Sequence, residues 1–444
     1  MKQDKNFFQM VCNLAIPVAL QSMLQASFSI VDQIMIGQLG SVAVAGVGLA
    51  GKFSSVFSVL VSAIGAVAGI MISQYMGQEN KYEIRRSFFL NLFIAIGLAG
   101  AFTMLCLTVP RQIMGLYTTD EATKTAASGY LFLIAGTFLT MAGATMLSTM
   151  FRCMEKASLP LYASIAAACL NTALNYILIF GKFGFEKMGA NGAAIATVVS
   201  QAVNFIIMLV LFIRYRDCLK CAQAEAKTLF HWEQYLAILL PVFVCEFAWS
   251  LGENVYAVIY GHLGTEACAA MTLINPIQSL MIGALCGLSQ AAGVIIGKKL
   301  GNREYDTAYE SAKKLLVYGF VGAIFLSVII VLTSSFYVDI YQVEENVKIM
   351  TRQILFAYAI VAPFKVQNMI LGGGIIRSGG KTKYVMMIDL IGTWLFGVPL
   401  GLSSAFVFKL TIPYVYFILS LEECVRFTIS MVIFRQRNWM KSLD

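Results

Sequence analysis

Charged residues are scarce in this sequence. Lys, Arg, Asp and Glu together make up 13% of its 444 residues and hydrophobic residues make up 59%, whereas soluble domains usually carry about 25% charged residues. Long apolar runs recur throughout, such as FFLNLFIAIGLAGAFTMLCLTV at 88–109. A helix of about 20 apolar residues crosses the hydrocarbon core of a bilayer. The shortage of charge therefore excludes a soluble domain and predicts an all-α polytopic membrane protein.

Histidine is scarcer still, with two residues in the chain. The sequence has no H-E-x-x-H motif, no G-x-S-x-G motif and no paired His–Asp set, so it lacks the common signatures of zinc proteases and serine hydrolases. Cys218 and Cys221 have C-x-x-C spacing in a polar loop, but a metal or redox centre needs a second pair or several histidines, and only His231 is near. We therefore expect no enzyme and no cofactor.

The apolar runs resolve into twelve predicted transmembrane helices. Their bounds are 13–37, 47–76, 87–109, 125–150, 157–180, 190–213, 234–260, 271–297, 315–336, 349–375, 384–405 and 411–434. The first apolar stretch is too long for a signal peptide, so we expect it to be an uncleaved first span.

The basic residues are unevenly distributed between the two sets of loops. Of the 32 Lys and Arg, 22 lie in the termini and in the alternate loops that include 77–86, 214–233 and 298–314, and six lie in the other loops. Short loops rich in Lys and Arg are cytoplasmic. The net charge of +8 is thereby explained without a nucleic-acid partner. We expect a multi-pass protein of the cell inner membrane with both termini in the cytoplasm.

The chain contains an internal repeat. A shift of 224 residues aligns Pro17 with Pro241 and gives 15 identities over 71 positions, including four glycines. This predicts an N-lobe at 1–213 with six helices, a cytoplasmic linker at 214–233 and a C-lobe at 234–444 with six helices. Because each half holds an even number of helices, the halves share one topology, and such repeats typically enclose a substrate path.

One intramembrane carboxylate is not repeated. Asp32 lies in the otherwise uncharged stretch SIVDQIMIGQLG, and the repeat places Tyr256 at the corresponding position. Asp32 lies about 7.5 Å from the outer end of its helix at Gly37. A charged group at that depth usually faces a cavity or a partner. It therefore predicts a binding group, and the alternatives are snorkelling to the interface or an ion pair with Lys52.

Oxygen-bearing residues recur at helical spacing in spans five and six. Asn171 and Asn175 share a face, as do Ala193 and Thr197. A hard cation such as Na⁺ prefers carboxylate, amide, hydroxyl and carbonyl oxygens, so these residues could form a metal site with Asp32 if the ion is Na⁺. The alternative is that Asn and Thr join helices by hydrogen bonds.

Pro17 lies within the first span, where a proline frees a carbonyl and weakens the helix. It could act as a hinge for movement of that helix, or it could produce a static kink.

The remaining intramembrane charges lie mostly in the second half. Glu246 and Glu253 lie near one face of span seven, and we expect Glu246 to face a cavity and to attract cationic substrate. Lys365 and Asp389 could pair. The i, i+4 spacing of Glu422 and Arg426 predicts a second pair. In total, six acids and four bases lie within the predicted spans.

The doubled six-helix plan and three motifs together resemble the multidrug and toxic compound extrusion (MATE) family. The motifs are the first-helix pattern P…VD…IGQLG, GANGAAIAT in span six and RSGGKTK after span ten. The resemblance covers essentially the whole chain. It implies a V-shaped pair of six-helix bundles and a cation-coupled antiporter that expels organic compounds through a cleft between them. We expect a monomer.

The resemblance also implies roles for individual residues of the first half. Asp32 occupies the position of the coupling carboxylate, and Pro17 that of the first-helix proline. Asn171, Thr197 and the Ala193 carbonyl fit the adjoining cation site. Asn175 stands where some members have an aspartate, so this site would hold one negative charge.

The second half departs further from the family pattern. Gln367 lies near the position where one sodium-coupled branch has an aspartate. Glu246 is a looser match to an acidic role in the C-lobe. With Glu253 and Asp389, these are the candidate residues for a cavity in the C-lobe, and the coupling ion stays open between H⁺ and Na⁺.

These observations predict the export of drug-like, cationic or amphiphilic organic compounds by alternating access. The partners would be a small-molecule substrate and the lipid bilayer. The alternative is a lipid-linked saccharide flippase of the same broader superfamily. Such flippases tend to have basic cavities, and the excess of acids over bases in the spans argues against one here.

Overall fold

The computed structural model describes residues 2–215, 232–341 and 343–443, and this part of the chain is helical, without β-strands. Cys218, Cys221 and His231 lie outside the described residues. The α-helices are α1 Lys2–Gly37, α2 Ser41–Gly77, α3 Lys81–Thr108, α4 Pro110–Gly115, α5 Glu121–Ile134, α6 Thr137–Cys153, α7 Ser158–Phe180, α8 Ala190–Tyr215, α9 Trp232–His262, α10 Thr265–Gly301, α11 Tyr305–Asp339, α12 Glu345–Asn368, α13 Thr382–Leu390, α14 Val398–Leu402, α15 Ile412–Ser420 and α16 Glu422–Gln436. Three π-helical segments lie at Met369–Ile376, Ile391–Gly397 and Ser403–Val407.

These elements coincide with the twelve predicted spans. Within the described residues, ten helical stretches are long and apolar enough to cross a bilayer, and α5 with α6, which meet at a bend of 49°, supplies an eleventh. The predicted twelfth span corresponds to α15 and α16, which meet at Leu421. It carries Glu422, Glu423 and Arg426 at this junction, and these charges lower its hydropathy. The all-α polytopic fold class is confirmed.

The chain divides into two compact units. One, here called the N-terminal unit, comprises residues 20–72 and 80–227, and the other, the C-terminal unit, comprises 1–19, 73–79 and 228–444. This division differs from the predicted lobe bounds at 1–19 and 73–79, which group with the second half of the chain. Most of the predicted linker 214–233 lies outside the described residues, so its role stays a prediction.

Close backbone packing explains why the two short segments belong to the C-terminal unit. A side chain at Gly287 of α10 would overlap the carbonyl of Ala15 in α1. The Gln74 amide at the end of α2 donates to the Ser378 carbonyl at 2.6 Å and accepts from the Leu443 amide at 2.7 Å. Small residues that allow backbones to approach, and polar side chains that bond across helices, are the usual means of helix association in membranes.

Candidate functional site

Asp32 is held by an amide in the N-terminal unit. Its side chain lies on α1, is half-buried, and accepts a hydrogen bond of 2.7 Å from the Asn175 amide of α7. Asn175 itself is 1% exposed. Among the described residues Asp32 has no ion-pair partner within 4.0 Å, and Lys52 is exposed. The structure therefore brings Asp32 and Asn175 together, and the predicted alternative of an ion pair with Lys52 is wrong.

The Asn171 amide lies beside the same carboxylate. Its nitrogen lies 3.0 and 3.1 Å from the two carboxylate oxygens, and its oxygen accepts from the Ser200 hydroxyl at 3.2 Å. The amide nitrogens of Asn171 and Asn175 therefore both donate to the Asp32 carboxylate.

Helix α8 forms the other side of the site. The Thr197 hydroxyl donates to the Ala193 carbonyl at 2.9 Å, so this carbonyl is already bonded within its own helix. The Ser200 hydroxyl lies 3.0 Å from the Thr197 carbonyl, and Tyr130 of α5 lies beside Asp32 and Thr197. Sequence reasoning missed Ser200 and Tyr130. Ser200 could have been found, because it follows Thr197 by three residues and so shares its face.

A close approach of α7 and α8 positions these side chains. The α8 residue Gly192 has no side chain, and a Cβ there would lie 2.8 Å from the carbonyl carbon and oxygen of Leu178 in α7. Helix α7 then ends at Gly181, whose φ of +68° favours glycine. The first turns of α8 can therefore pack directly against α7, which places Thr197 and Ser200 near the two asparagines.

The donor set suits a proton or a hard cation. The Asn175 side-chain oxygen is buried and has no donor among the described residues, so it is available as a ligand beside the Asp32 carboxylate. The part of the chain that the structure describes contains no group of three or more His, Cys, Asp and Glu residues that could hold a metal. One carboxylate with neutral amide and hydroxyl oxygens is compatible with Na⁺, and a single carboxylate is sufficient for H⁺.

Pro17 lies inside α1, which runs without a break from Lys2 to Gly37. The boundary between the two compact units falls between residues 19 and 20. Pro17, which has no amide donor, therefore lies two residues before the last α1 residue of the C-terminal unit.

The candidate residues of the C-terminal unit lie in different surroundings. Glu246 of α9 forms an ion pair with Arg377 at 3.2 Å and is therefore not an unpaired acid. Gln367 is 4% exposed and donates to the Leu316 carbonyl at 2.8 Å. Glu253 forms no ion pair with the described residues and lines a cavity. Of these three, only Glu253 presents an unpaired charge.

The two predicted ion pairs of the second half are wrong. Asp389 pairs with Arg426 at 3.1 Å instead of with Lys365. Arg426 also lies 3.9 Å from Glu423, while Glu422 accepts a hydrogen bond of 2.5 Å from the Tyr256 hydroxyl. Asp389 additionally accepts from the Cys245 thiol at 2.6 Å. Arg426 lies between two acids from different helices and forms no ion pair within 4.0 Å with Glu422, which spacing along one helix could not indicate.

Comparison with known proteins gives matches over nearly the whole chain. The family model MatE matches residues 17–177 and 241–402. The uncharacterized transporter YisQ of Bacillus subtilis is 23% identical over 446 residues, covering 99% of this chain and 96% of YisQ. The probable multidrug resistance protein NorM of Thermotoga maritima is 25% identical, covering 96% of this chain and 92% of NorM.

Solved structures show the same fold. A mutant of the Vibrio cholerae MATE transporter VcmN superposes with a TM-score of 0.89 at 16% identity and covers 99% of this chain and 100% of its own. A MATE protein in complex with MaL6 gives 0.87 at 17% identity, covering 96% of this chain and 95% of its own.

Proposed function

Because the chain belongs to the MatE family of membrane transporters, we propose that it exports drug-like organic compounds in exchange for H⁺ or Na⁺. The Asp32 site carries this proposal. It combines an intramembrane carboxylate that has no basic partner among the described residues with two adjacent amides whose nitrogens donate to it. Such a group is expensive as a bare charge in the membrane, which is a reason for it to bind a cation.

Binding of the ion changes the hydrogen bonding of Asp32. While the carboxylate is bare, the Asn171 and Asn175 amide nitrogens both face it at 2.7–3.1 Å. Once H⁺ or Na⁺ neutralises it, the Asn171 oxygen turns towards Asp32, and the buried Asn175 oxygen becomes a further ligand for Na⁺. The site therefore has one arrangement for each charge state.

The first helix transmits this change. Asp32 and Pro17 lie on the same unbroken helix, and a proline inside a helix leaves one carbonyl unbonded. Rearrangement around Asp32 moves α1 about this compliant point and weakens substrate binding. Exchange of one H⁺ or Na⁺ for one organic monocation moves no net charge, so the concentration gradient of the ion supplies the energy. A tenfold gradient of the ion supplies about 1.4 kcal/mol, which balances a tenfold gradient of the substrate. One coupling ion is therefore sufficient for modest concentrative export.

The substrate is a cationic or amphiphilic organic compound, and the protein acts as a monomer in the cell inner membrane with both termini in the cytoplasm. The name of NorM, a probable multidrug resistance protein, supports a drug-like substrate. The placement of 22 of 32 basic residues on one side supports the orientation.

Transport into proteoliposomes tests the proposal. The purified protein is reconstituted and given an outwardly directed H⁺ gradient, then a Na⁺ gradient, then neither, in the presence of a fluorescent organic cation. We expect accumulation under at least one gradient and equilibration without one. Failure to accumulate the dye under both gradients, together with translocation of a lipid-linked saccharide, would identify the flippase alternative.

A further inference from the structure

A second polar contact joins the two helices that carry Asp32 and Asn175. The Gln21 amide of α1 donates to the Ser164 hydroxyl of α7 at 2.8 Å, and both residues are 9% exposed. Each of the two pairs is separated by 143 residues along the chain. Gln21 lies eleven residues before Asp32, which is about 16.5 Å along a helix. Helices α1 and α7 therefore meet at Asp32 and again about three turns closer to the start of α1.

Helix α8 supplies polar side chains at the levels between these two contacts. The Ser200 hydroxyl donates to the Asn171 oxygen at 3.2 Å. Asn204 follows Ser200 by four residues and so shares its face. Helix α8 begins beside the last turns of α7 and runs antiparallel to it. Asn204 therefore lies between the level of Asn171 and that of Ser164.

The interior at this level contains an oxygen without a donor. The Asn204 side-chain oxygen is buried and has no partner within the described residues, and the Asn175 oxygen, about two turns closer to Asp32, is in the same situation. Buried polar atoms are normally bonded to water or to a ligand. On α7 the three consecutive alanines at 166–168 occupy this level, and their side chains take up little space. Oxygens beside small side chains suit the passage of a hydrated cation.

The second half of the chain has a different pair at the corresponding positions. The repeat, offset by 224 residues at Gln21 and by 225 at Ser164, places Cys245 and Asp389 there, and these are also bonded, at 2.6 Å. Asp389 in addition forms an ion pair with Arg426 at 3.1 Å. A buried ion pair is costly to break, whereas a hydrogen bond between two neutral side chains costs little to open. Of the two corresponding contacts, the one in the N-terminal unit is therefore the one that opens more easily.

We propose that the ion bound at Asp32 reaches the cytoplasm inside the N-terminal unit, along the polar faces of α7 and α8, and that the bond between Gln21 and Ser164 closes this route. Asn204 is the intermediate ligand on the route. While the Gln21–Ser164 bond holds, the ion exchanges with the outer side only, and when the bond opens the ion leaves towards the start of α1. The inference rests on the proposed function and extends it, because it names the residues through which the ion is released.

Ion flux in the absence of any organic compound tests the closing contact. The protein is reconstituted in proteoliposomes under a K⁺–valinomycin potential, and entry of H⁺ or of ²²Na⁺ is measured. The native protein should admit little more ion than empty vesicles, because the route is closed at one end. Gln21→Ala and Ser164→Ala remove the contact, so the flux of at least one ion should rise at least threefold in each. Native flux of both ions in these two folded variants would overturn the inference.

Two further variants distinguish an opened route from damaged packing. Gln21→Ala combined with Asp32→Asn should return the flux to the native level, because the route leads through the carboxylate. Thr103→Val removes a hydrogen bond of 3.0 Å from α3 to the Ala135 carbonyl in the same unit and is the matched control, which should not raise the flux. A leak that persists in the double variant, or an equal leak in Thr103→Val, would contradict the inference.

The role of Asn204 is tested in the leaking background. Asn204→Leu keeps the approximate size of the side chain and removes its polar atoms, so it should lower the flux of Gln21→Ala at least threefold. Asn204→Ser keeps an oxygen and should preserve the flux. Equal flux in the leucine and serine variants would refute the passage of the ion beside Asn204.

Direct ion binding separates this inference from the proposed function. Binding of ²²Na⁺, and proton uptake by the purified protein, are measured for the native protein and for Asp32→Asn. Binding that depends on Asp32, together with native flux in Gln21→Ala and Ser164→Ala, would disprove the route and leave the coupling role of Asp32 standing. Equal ion binding by the native protein and Asp32→Asn would disprove the coupling role and the route with it.

Discussion

Asp32 is surrounded by amides instead of bases, and this determines what it can do. An arginine or lysine partner would keep the carboxylate permanently charged. The Asn175 donor at 2.7 Å stabilises the charged form less strongly and leaves the carboxylate free to take up a cation. The proposed coupling role depends on this balance.

Asn175→Ala should change the affinities for the two candidate ions in opposite directions. The substitution removes a hydrogen bond to a charged group, which typically contributes about 1.5–3 kcal/mol to stability. It also removes a buried oxygen. The bare carboxylate becomes less stable, so H⁺ should bind about tenfold more tightly and H⁺-driven transport should extend to higher pH. Na⁺ should bind more weakly. The pH profile and ²²Na⁺ binding measure the two effects, and an unchanged response to both ions would show that Asn175 does not act on Asp32.

Glu246→Gln should lower thermal stability. The substitution leaves Arg377 without its partner at 3.2 Å. Breaking a buried ion pair costs about 3–5 kcal/mol, and a smaller loss is expected here because the Glu246 side chain is 28% exposed. Melting in detergent measures the effect, and the double variant Glu246→Gln/Arg377→Met should recover stability. A normal melting temperature with weaker export of cationic dyes would instead favour the substrate role predicted from the sequence.

Spacing in the sequence predicts side-chain partners on one helix, but it does not predict partners on different helices. Asn171 and Asn175 were found because i, i+4 spacing places them on one face. The partner of Glu246 lies 131 residues away, and that of Glu422 lies 166 residues away. No pattern of neighbouring residues in the sequence indicates these pairings. The predicted pairs Lys365–Asp389 and Glu422–Arg426 were wrong for the same reason, because several acids competed for one buried arginine.

At the scale of the helices, hydropathy predicts well which transmembrane helices exist and where each approximately begins and ends. The predicted span 157–180 corresponds to Ser158–Phe180, and 190–213 to Ala190–Tyr215. The bend of 49° between α5 and α6 and the π-helical segments in the second half were not predicted. These features depend on what packs against each helix, as Gly397 does against Glu422, and hydropathy does not report packing.

Gly192→Ala tests the close approach of α7 and α8. A Cβ there would lie 2.8 Å from the Leu178 backbone, which cannot move aside like the end of a side chain. Overpacking of this kind costs about 1–3 kcal/mol and should move Thr197 and Ser200 away from the asparagines. We expect lower melting temperature and weaker ion binding. Gly97→Ala in α3, where a Cβ would meet nothing within 4 Å beyond the backbone of its own helix, is the control, and equal effects of the two substitutions would contradict the account.

At the scale of the whole molecule, the distribution of basic residues predicts orientation. A green fluorescent protein fused after residue 444 should fluoresce, since it folds in the cytoplasm. Alkaline phosphatase inserted after Tyr117, in the exposed turn before Asp120, should be active, since it requires the outer side. The reverse pattern of the two reporters would invert the proposed topology and the direction of export with it.

The twelve-span fold followed from the repeat and the hydropathy, but the grouping of residues 1–19 and 73–79 with the second half did not. That grouping depends on backbone contacts such as Gly287 against Ala15, which involve residues far apart in the chain. It matters for mechanism because α1 then carries Asp32 in one unit and Pro17 in the other.

Uphill transport by Asp32→Asn tests the central claim most directly. The variant keeps the size of the side chain and removes the charge that H⁺ or Na⁺ would neutralise. In proteoliposomes with an imposed ion gradient, we expect the native protein to concentrate the organic cation. Asp32→Asn should bind this cation and allow it to equilibrate without concentrating it. Gradient-driven accumulation by the variant at the native level would contradict the assignment of Asp32 as the coupling group.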